Sequence, residues 1–404
     1  MEFNSSPRST VGVEVEYGII DRTTGALVPR ANDLLAWVGA DHPGGEHPKA
    51  KNELFQCSLE VITGICETPA QAKADIAATL MEVKPWLDAE NLGLESTGTH
   101  PFGNWRGMPM TPRKRYLAMV DQIRWPAYRL LIHGVHVHVG VRSGEKAVAT
   151  TNALTSYLPL LVALSASSPY WHGTDTGMAS CRTKIFEGMP TTGIPPRLKD
   201  WAEYLRAIDT LLRAKSIESI RSVWWDVRPH PDFGTVELRM CDGIPTLDET
   251  MTVAAIAQSL VTTFDRMIDA GEPLPLHPDW MVRDNKWRAS RWGLDAELVI
   301  DNHGNTHPIR ELIAEMVDDL GPIAAELGCL DELTNAERIM DTGACYQRQR
   351  ERVAAGASMV ELALSLVAEH DESLALATQP SADGEAPVAG RTHDDQDAAS
   401  HDRS

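Results

Sequence analysis

The segment that decides the fold reads Thr10-Val-Gly-Val-Glu14-Val-Glu16-Tyr-Gly-Ile-Ile20. Its β-branched and apolar residues, followed by the turn-like sequence Asp21-Arg-Thr-Thr-Gly25, predict a β-strand. Side chains two residues apart in a strand point to the same face, so Glu14 and Glu16 project together, opposite the valines. Two neighbouring carboxylates repel each other unless a cation lies between them or water surrounds them. This strand alone therefore fits a solvent-facing surface and a metal site equally well.

Two further predicted strands carry polar residues at the same spacing of two. They read Gly134-Val-His136-Val-His138-Val-Gly140 and Thr235-Val-Glu237-Leu-Arg239, and the second forms a predicted hairpin with the segment before it. Glu60 lies in a fourth alternating strand, and Glu53 just precedes that strand. Each pair alone is also compatible with a solvated face or an ordinary surface ion pair. Because the pattern recurs, we favour one curved sheet whose polar face forms a basin of carboxylates, imidazoles and an arginine.

Such a basin needs cations, because that many acids are not stable together without them. Oxygen-rich ligands favour Mg²⁺ or Mn²⁺, and one imidazole excludes neither ion, whereas zinc is expected to recruit cysteine or more histidine. Several ions beside an arginine suggest phosphoryl transfer from ATP. The sequence contains no G-x-x-x-x-G-K-[ST] loop and no G-x-G-x-x-G after a strand, which argues against a P-loop or dinucleotide fold. A metal-dependent hydrolase that uses the same acids to activate water is the alternative.

The order of elements is strand and helix with several hairpin-like pairs, rather than regular βαβ alternation. This order predicts an α+β fold with a largely antiparallel sheet and helices on its outer face. Two capping boxes, Thr68-Pro-Ala-Gln71 and Thr246-Leu-Asp-Glu249, predict helix starts. The cationic residues Lys286, Arg288 and Arg291 are compatible with contacts to nucleotide phosphates, but we favour a solvated basic face.

Composition limits the partners and the compartment. The net charge of −20 argues against nucleic acid and anionic membranes as partners, and no apolar run reaches the length of a membrane span. The six cysteines are scattered without a C-x-x-C pair, which predicts a reduced, cytoplasmic protein. We expect residues 1–8 to be a disordered leader, residues 9–378 to form the folded domain, and residues 379–404 to be a disordered acidic tail.

Two residues outside these strands are candidates for substrate binding. Arg182 precedes a loop rich in proline and glycine, a common setting for a clamp on a substrate carboxylate. His100, in Gly98-Thr-His-Pro101, lies in a predicted loop, where a substrate contact and a structural role are equally compatible with the sequence.

Five short motifs occur in an order that resembles the type 2 glutamate–cysteine ligase family of ATP-dependent carboxylate–amine ligases, including its actinobacterial members. They are Gly12-Val-Glu-Val-Glu-Tyr-Gly18, Gly98-Thr-His-Pro-Phe102, Gly134-Val-His-Val-His-Val-Gly140, Arg182 before Pro190-Thr-Thr-Gly193, and Thr235-Val-Glu-Leu-Arg239. The similarity covers roughly residues 9–376. It implies a glutamine-synthetase-like catalytic fold over residues 9–378, in which a curved antiparallel sheet forms a funnel, and it implies ATP with Mg²⁺ or Mn²⁺.

The resemblance also implies roles for individual residues. Arg239 falls where an arginine steadies the transferring phosphoryl group, and Arg182 falls where the substrate carboxylate is held. Because both His136 and His138 are present, which of them ligates metal is open, and we favour His138. The implied metal ligands are then Glu14, Glu16, Glu53, Glu60, His138 and Glu237.

The activity implied by the resemblance is formation of γ-glutamylcysteine. ATP phosphorylates the γ-carboxylate of glutamate, and the amino group of cysteine, or another amine, attacks the acyl phosphate. The cysteine-dependent reaction is expected to be weak in some members of the family. A non-catalytic relative that keeps the fold is a further alternative, and a homo-oligomer is compatible with the sequence.

Overall fold

The computed structural model describes residues 1–379, so the predicted acidic tail lies outside the described residues except for Gln379. Within residues 1–379 the chain forms thirteen strands. They are β1 (Val11–Asp21), β2 (Ala50–Asn52), β3 (Ser58–Ile62), β4 (Leu92–Glu95), β5 (Gly134–Gly140), β6 (Tyr170–Trp171), β7 (Thr174–Asp175), β8 (Thr192–Gly193), β9 (Trp224–Trp225), β10 (Val227–His230), β11 (Thr235–Asp242), β12 (Glu297–Val299) and β13 (Thr306–Pro308).

Fourteen α-helices accompany these strands in the described part of the chain, together with four short 3₁₀ turns. The helices are α1 (Ala31–Gly39), α2 (Pro69–Ala89), α3 (Lys114–Ile123), α4 (Trp125–Tyr128), α5 (Gly144–Leu154), α6 (Leu158–Ser165), α7 (Cys181–Phe186), α8 (Trp201–Arg213), α9 (Leu247–Ala270), α10 (Asp279–Trp292), α11 (Ile309–Leu327), α12 (Leu330–Thr342), α13 (Cys345–Ala354) and α14 (Met359–Ala377). Both predicted capping threonines cap their helices: the Thr68 hydroxyl accepts from Gln71 N and the Thr246 hydroxyl accepts from Glu249 N.

Seven strands form one antiparallel sheet in the order β10-β11-β5-β1-β3-β2, and β4 pairs with the second half of β1. The strand that opens the sequence argument is therefore central, since β1 lies between β3 on one side and β5 and β4, one after the other, on the opposite side. The predicted α+β class with a largely antiparallel sheet is confirmed.

The two faces of this sheet differ in chemistry, as the alternation of side chains predicts. On one face the valines of β1 and β5 are buried, and they belong to a core that includes the inward sides of α2, α6 and α9. Each valine buried in this way stabilises the fold by about 1.5 kcal/mol. The opposite face carries the acidic and imidazole side chains and borders a cavity. The core therefore fixes which way the polar residues point.

One helical stretch, Gly144–Ser165, is long and apolar enough to cross a membrane by length and composition. Its apolar window is 78% buried inside the fold, as expected for a helix of the core. All six cysteines are buried free thiols.

Residues 1–8 differ from the predicted disordered leader, because they pack along the hairpin between β10 and β11. Asn4 N donates to Pro231 O over 2.9 Å, and Ser6 N donates to Val141 O over 3.0 Å. The ring of Phe3 packs edge-on against Trp201, with 5.5 Å between centroids. These contacts join the leader to segments far away in the chain, so its polar composition gave no sign of them.

Candidate active site

Strand pairing brings the predicted polar residues together on one face of the sheet. Glu14 lies opposite His136, Glu16 lies opposite Glu60, and Glu237 lies opposite His138. Directly opposed residues of neighbouring strands share a face and lie close together. These residues, together with Glu53, Arg182 and Arg239, line one cavity of about 510 Å³. The convergence expected from the sequence is thus present, while the individual roles of these side chains stay predictions.

Glu14 lies between the two histidines of β5. Its Oε2 is 2.9 Å from His136 Nδ1, and its Oε1 is 3.3 Å from His138 Nε2. Burial alone would raise the pKa of Glu14, but hydrogen bonds and charge interactions with these imidazoles bring it well below its ordinary value. Burial would lower the pKa of His138, but the charge of Glu237 and the contact with Glu14 raise it. Glu14 is therefore an ionised carboxylate at neutral pH.

Glu16, Glu53 and Glu60 show the opposite behaviour. Burial raises the pKa of each of them, and repulsion from neighbouring carboxylates raises it further, most strongly for Glu60. Glu16 is fixed by a hydrogen bond of 2.5 Å from Gly134 N to its Oε2. A cation bound between these oxygens would relieve the repulsion and keep all three groups ionised.

Two groups of donor atoms on this face could each hold a metal ion, and His136 belongs to both. In one group, atoms of Glu14, His136 and Glu237 lie within 4.8 Å of one another, and in the other the same holds for Glu16, Glu60 and His136. Carboxylate oxygens with one imidazole nitrogen suit Mg²⁺ or Mn²⁺, so the residues present fit the expected ions.

The two groups of donor atoms contain His136, whereas the sequence favoured His138, and the choice between the two histidines stays a prediction. His138 lies opposite Gly12, which has no side chain, and its Nδ1 is 3.0 Å from the hydroxyl of Thr235. Its Nε2 is 3.9 Å from Glu237 Oε1. His136, in contrast, lies opposite the Glu14 side chain. The register of β1 and β5 separates the two histidines, and the sequence does not reveal that register.

Glu237 is held between two arginines. Arg228 Nε donates to its Oε2 over 2.6 Å, and Arg239 Nη1 donates to its Oε1. Glu237 is only 1% exposed, and burial would raise its pKa, but the two guanidinium groups hold that pKa well below the usual range. The sequence analysis missed Arg228. The predicted hairpin was the available signal, because Arg228 lies opposite Glu237 within it.

Arg182 lies buried in the cavity wall at the start of α7. Its Nη1 is 3.3 Å from Met240 O, and its Nη2 is 3.4 Å from Arg239 O. These carbonyl groups aim the guanidinium without neutralising its charge, so it is suited to hold a carboxylate.

The structure does not bring His100 into the cavity. Its ring is buried elsewhere, with Nε2 2.8 Å from Gly25 O, and burial lowers its pKa to about 4. This placement supports the structural role for His100 that the sequence left open, and not the predicted substrate contact. The cavity lining also includes residues that sequence reasoning did not identify, among them Arg115 and Tyr116 from α3, and His230 from β10. They come from segments whose patterns are typical of ordinary helices and turns.

A separate group of possible metal donors consists of His42, His47 and Glu82. Lys49 N and Ala50 N both donate to His47 Nδ1, so the proton of this ring lies on Nε2, which donates to Glu82 Oε2 over 3.1 Å. A protonated Nε2 has no lone pair for a metal. This group is therefore a hydrogen-bonded surface cluster rather than a second metal centre.

Comparison with known proteins agrees with this site. The profile of glutamate-cysteine ligase family 2 matches residues 10–374. "Putative glutamate–cysteine ligase 2" of Thermobifida fusca is 45% identical over 369 residues, which cover 91% of this chain and 92% of that protein. A relative named in the same way, from Frankia alni, is 46% identical over 348 residues, covering 86% and 91% of the two chains.

Solved structures of low sequence identity share the fold. The glutamate–cysteine ligase of Francisella tularensis, solved in complex with AMP, superposes with a TM-score of 0.65 at 11% identity, covering 93% of this chain and 90% of that one. A bifunctional glutathione synthetase from Pasteurella multocida gives a TM-score of 0.61 at 12% identity, covering 92% and 53%. These neighbours confirm the glutamine-synthetase-like catalytic fold that the resemblance implied.

An antiparallel sheet whose polar face carries paired acids, histidines and arginines defines, with these matches, the class of ATP-dependent ligases that form a carbon–nitrogen bond. Within that class, this chain belongs to glutamate-cysteine ligase family 2.

Proposed function

We propose that this protein joins the γ-carboxylate of glutamate to the amino group of cysteine, or of another amine, at the expense of ATP. The observation that carries the proposal is the cavity of about 510 Å³ in which acids and imidazoles from strands β1, β3, β5 and β11 face Arg182 and Arg239. The family to which the chain belongs, and the ligase names of its relatives, support the same activity.

The chemistry proceeds by activation of the carboxylate, because a carboxylate anion is a poor electrophile. An oxygen of the γ-carboxylate attacks the γ-phosphorus of ATP, the bond to the β-phosphate oxygen breaks, and ADP leaves. The amine nitrogen then attacks the acyl carbon, phosphate leaves, and the amine loses a proton. Phosphate is a workable leaving group, whereas oxide is not.

The residues of the cavity have distinct parts in this proposal. Arg182 binds the α-carboxylate of glutamate and so orients the γ-carboxylate, and Arg239 offsets the negative charge of the transferring phosphoryl group. Mg²⁺ or Mn²⁺ would neutralise the phosphates, and the imidazole of His136 would ligate an ion either with Glu14 and Glu237 or with Glu16 and Glu60. Glu53, which is also among the predicted metal ligands, adds negative charge to the same cluster.

A screen for ADP release tests the proposal. The full chain is incubated with ATP, either Mg²⁺ or Mn²⁺, and pairs of a carboxylate and an amine, with each substrate also supplied alone. A ligase of the proposed kind releases ADP fastest when glutamate and an amine are both present, and mass spectrometry then detects a γ-glutamyl amide.

The same screen separates the alternatives. A metal-dependent hydrolase would consume a substrate without the paired requirement, and a non-catalytic relative would release no ADP with any pair. Either result would overturn the proposal.

A further inference from the structure

Lys286 of α10 is buried between two carboxylates that come from different parts of the chain. Its Nζ is 2.6 Å from Asp226 Oδ2 and 2.7 Å from Glu187 Oε1, and its side chain is 2% exposed. Burial would lower the pKa of Lys286, but these carboxylates raise it, so the ammonium group stays charged. The sequence interpretation of a solvated basic face is therefore wrong for this residue. A lysine is rarely buried this completely unless it is paired.

One of these contacts holds the helix that carries Arg182. Glu187 directly follows α7, so the ion pair with Lys286 fixes the end of that helix. The beginning of α7 is held by the same helix α10, because Ala179 N and Ser180 N both donate to Ser290 O, over 2.9 and 3.0 Å. Both ends of the short α7 are thus attached to α10.

The other contact holds the backbone that carries Arg239. Asp226 O accepts from Arg239 N over 2.7 Å, and Asp226 N donates to Gly193 O over 2.8 Å. This support matters at Arg239, because the register between β11 and β5 shifts between Leu238 and Cys241. The bond to Asp226 continues the register of the β10–β11 pairing on the opposite edge of β11, so it holds the backbone of Arg239 where pairing with β5 is irregular.

The segments held by these two contacts of Lys286 meet at the guanidinium group of Arg182, which is oriented by the carbonyl oxygens of Arg239 and Met240. Lys286 therefore joins both arginines through two routes, one through α7 and one through the irregular part of β11.

We propose that Lys286, with Asp226, is a positioning residue that sets the distance between the carboxylate clamp Arg182 and the phosphoryl-stabilising Arg239. This inference rests on the proposed function for the roles of the two arginines. Neither Lys286 nor Asp226 lines the cavity, so they act only through the groups they hold. The carboxylate to be activated must lie in line with the γ-phosphate, and a shift of about 1 Å in such an arrangement costs up to about a hundredfold in rate.

Two variants test the inference. Asp226→Asn keeps the shape of the side chain and leaves Glu187 to pair with Lys286, so it is expected to fold. Lys286→Met removes the ammonium group while keeping an unbranched chain. The matched control is Lys146→Met, because Lys146 is a mostly buried lysine, 12% exposed, that binds Asp265 and Asp269 and lies outside the cavity lining.

We expect the test variants to change kcat and KM for glutamate while leaving KM for ATP nearly unchanged. In both test variants KM for glutamate rises and kcat falls, each by about tenfold, while KM for ATP stays within about twofold. Lys146→Met leaves kcat and both KM values within about twofold. If the test variants match wild type, or if their kcat and both KM values change only in parallel with a loss of folded protein, the inference is wrong.

Amide hydrogen exchange tests the inference about Lys286 independently of enzyme activity, and so independently of the proposed function. In the test variants, amides of residues 179–193 and 224–240 should exchange faster than in wild type, and those of residues 11–21 should not. If wild type releases no ADP with any substrate pair, the proposed function fails, and this exchange pattern alone decides whether Lys286 holds the two segments. Unchanged exchange in both segments would refute the inference.

Discussion

Replacing Arg239 with alanine should remove phosphoryl transfer while leaving the fold largely intact. In the structure Glu237 is bound on both oxygens, by Arg228 on Oε2 and by Arg239 on Oε1. After Arg239→Ala, Arg228 still neutralises the buried carboxylate. We therefore expect the free energy of unfolding to fall by about 1–3 kcal/mol, the cost of one unmade buried bond, rather than by the larger amount for a fully unpaired charge.

The catalytic loss should be larger than the loss of stability. The guanidinium group of Arg239 borders the cavity and carries a full positive charge beside the acids that would hold the metal. Removing a group that stabilises charge in the transition state costs about 10³ in kcat. At about 1.36 kcal/mol per decade, this corresponds to about 4 kcal/mol of transition-state stabilisation.

The assay couples ADP release to a spectrophotometric readout at saturating ATP, glutamate and amine, with thermal unfolding measured on the same samples. Arg228→Ala provides the contrast: Arg228 also donates to the carbonyl groups of Ile220 and Val223, so its loss should lower Tm more than Arg239→Ala does. Exogenous guanidinium should restore part of the activity of Arg239→Ala. If Arg239→Ala retains kcat within about threefold of wild type while folded, the assignment of Arg239 to the phosphoryl group is refuted.

Three further predictions follow from the same site. Glu237→Gln leaves Arg228 without its buried partner and should lower both kcat and the free energy of unfolding, the latter by about 3 kcal/mol in urea denaturation; an unchanged midpoint would contradict the buried pairing. In calorimetric titrations Mn²⁺ should bind the wild-type protein, and His136→Ala should lower the affinity for Mn²⁺ more than His138→Ala does. The reverse order would indicate His138 as the ligand. Burial raises the pKa of Glu95 to about 8, so the folded state keeps a proton that the unfolded chain releases, and this contribution to stability falls as pH rises from about 4.5 to about 8. The Tm of Glu95→Gln minus that of wild type should therefore grow across this range and level off above it, and a difference that does not vary with pH would contradict the raised pKa.

The candidate site shows how much can be predicted from the alternation of polar and apolar residues along a strand. Glu14, Glu16, His136, His138 and Glu237 were predicted to share one face because strand geometry fixes the direction of alternate side chains. The structure confirms that shared face, since the intervening valines are buried on the other side. The prediction succeeded because it depended only on local geometry and on the burial of apolar side chains.

The expectations that the structure does not support depended on contacts between distant segments. His100 and Lys286 are both polar residues in unremarkable local sequence, yet His100 is buried against Gly25 and Lys286 is buried between Asp226 and Glu187. No local pattern distinguishes such residues from exposed ones, because the partners of Lys286 are 60 and 99 positions away from it and Gly25 is 75 positions away from His100. The ordered leader at residues 1–8 belongs to the same category.

The amino-acid sequence by itself determined the α+β class, the polar face of the sheet and the set of acids that meet on it, because period-two patterning and hydrophobic burial act locally. Only the tertiary structure decided that Glu14 lies between the two histidines, that Arg228 shares Glu237 with Arg239, and that Lys286 is buried between Asp226 and Glu187. These features depend on strand register and on the packing of distant helices. Register is fixed by the sum of many contacts across the sheet, and no single segment of the chain contains that information.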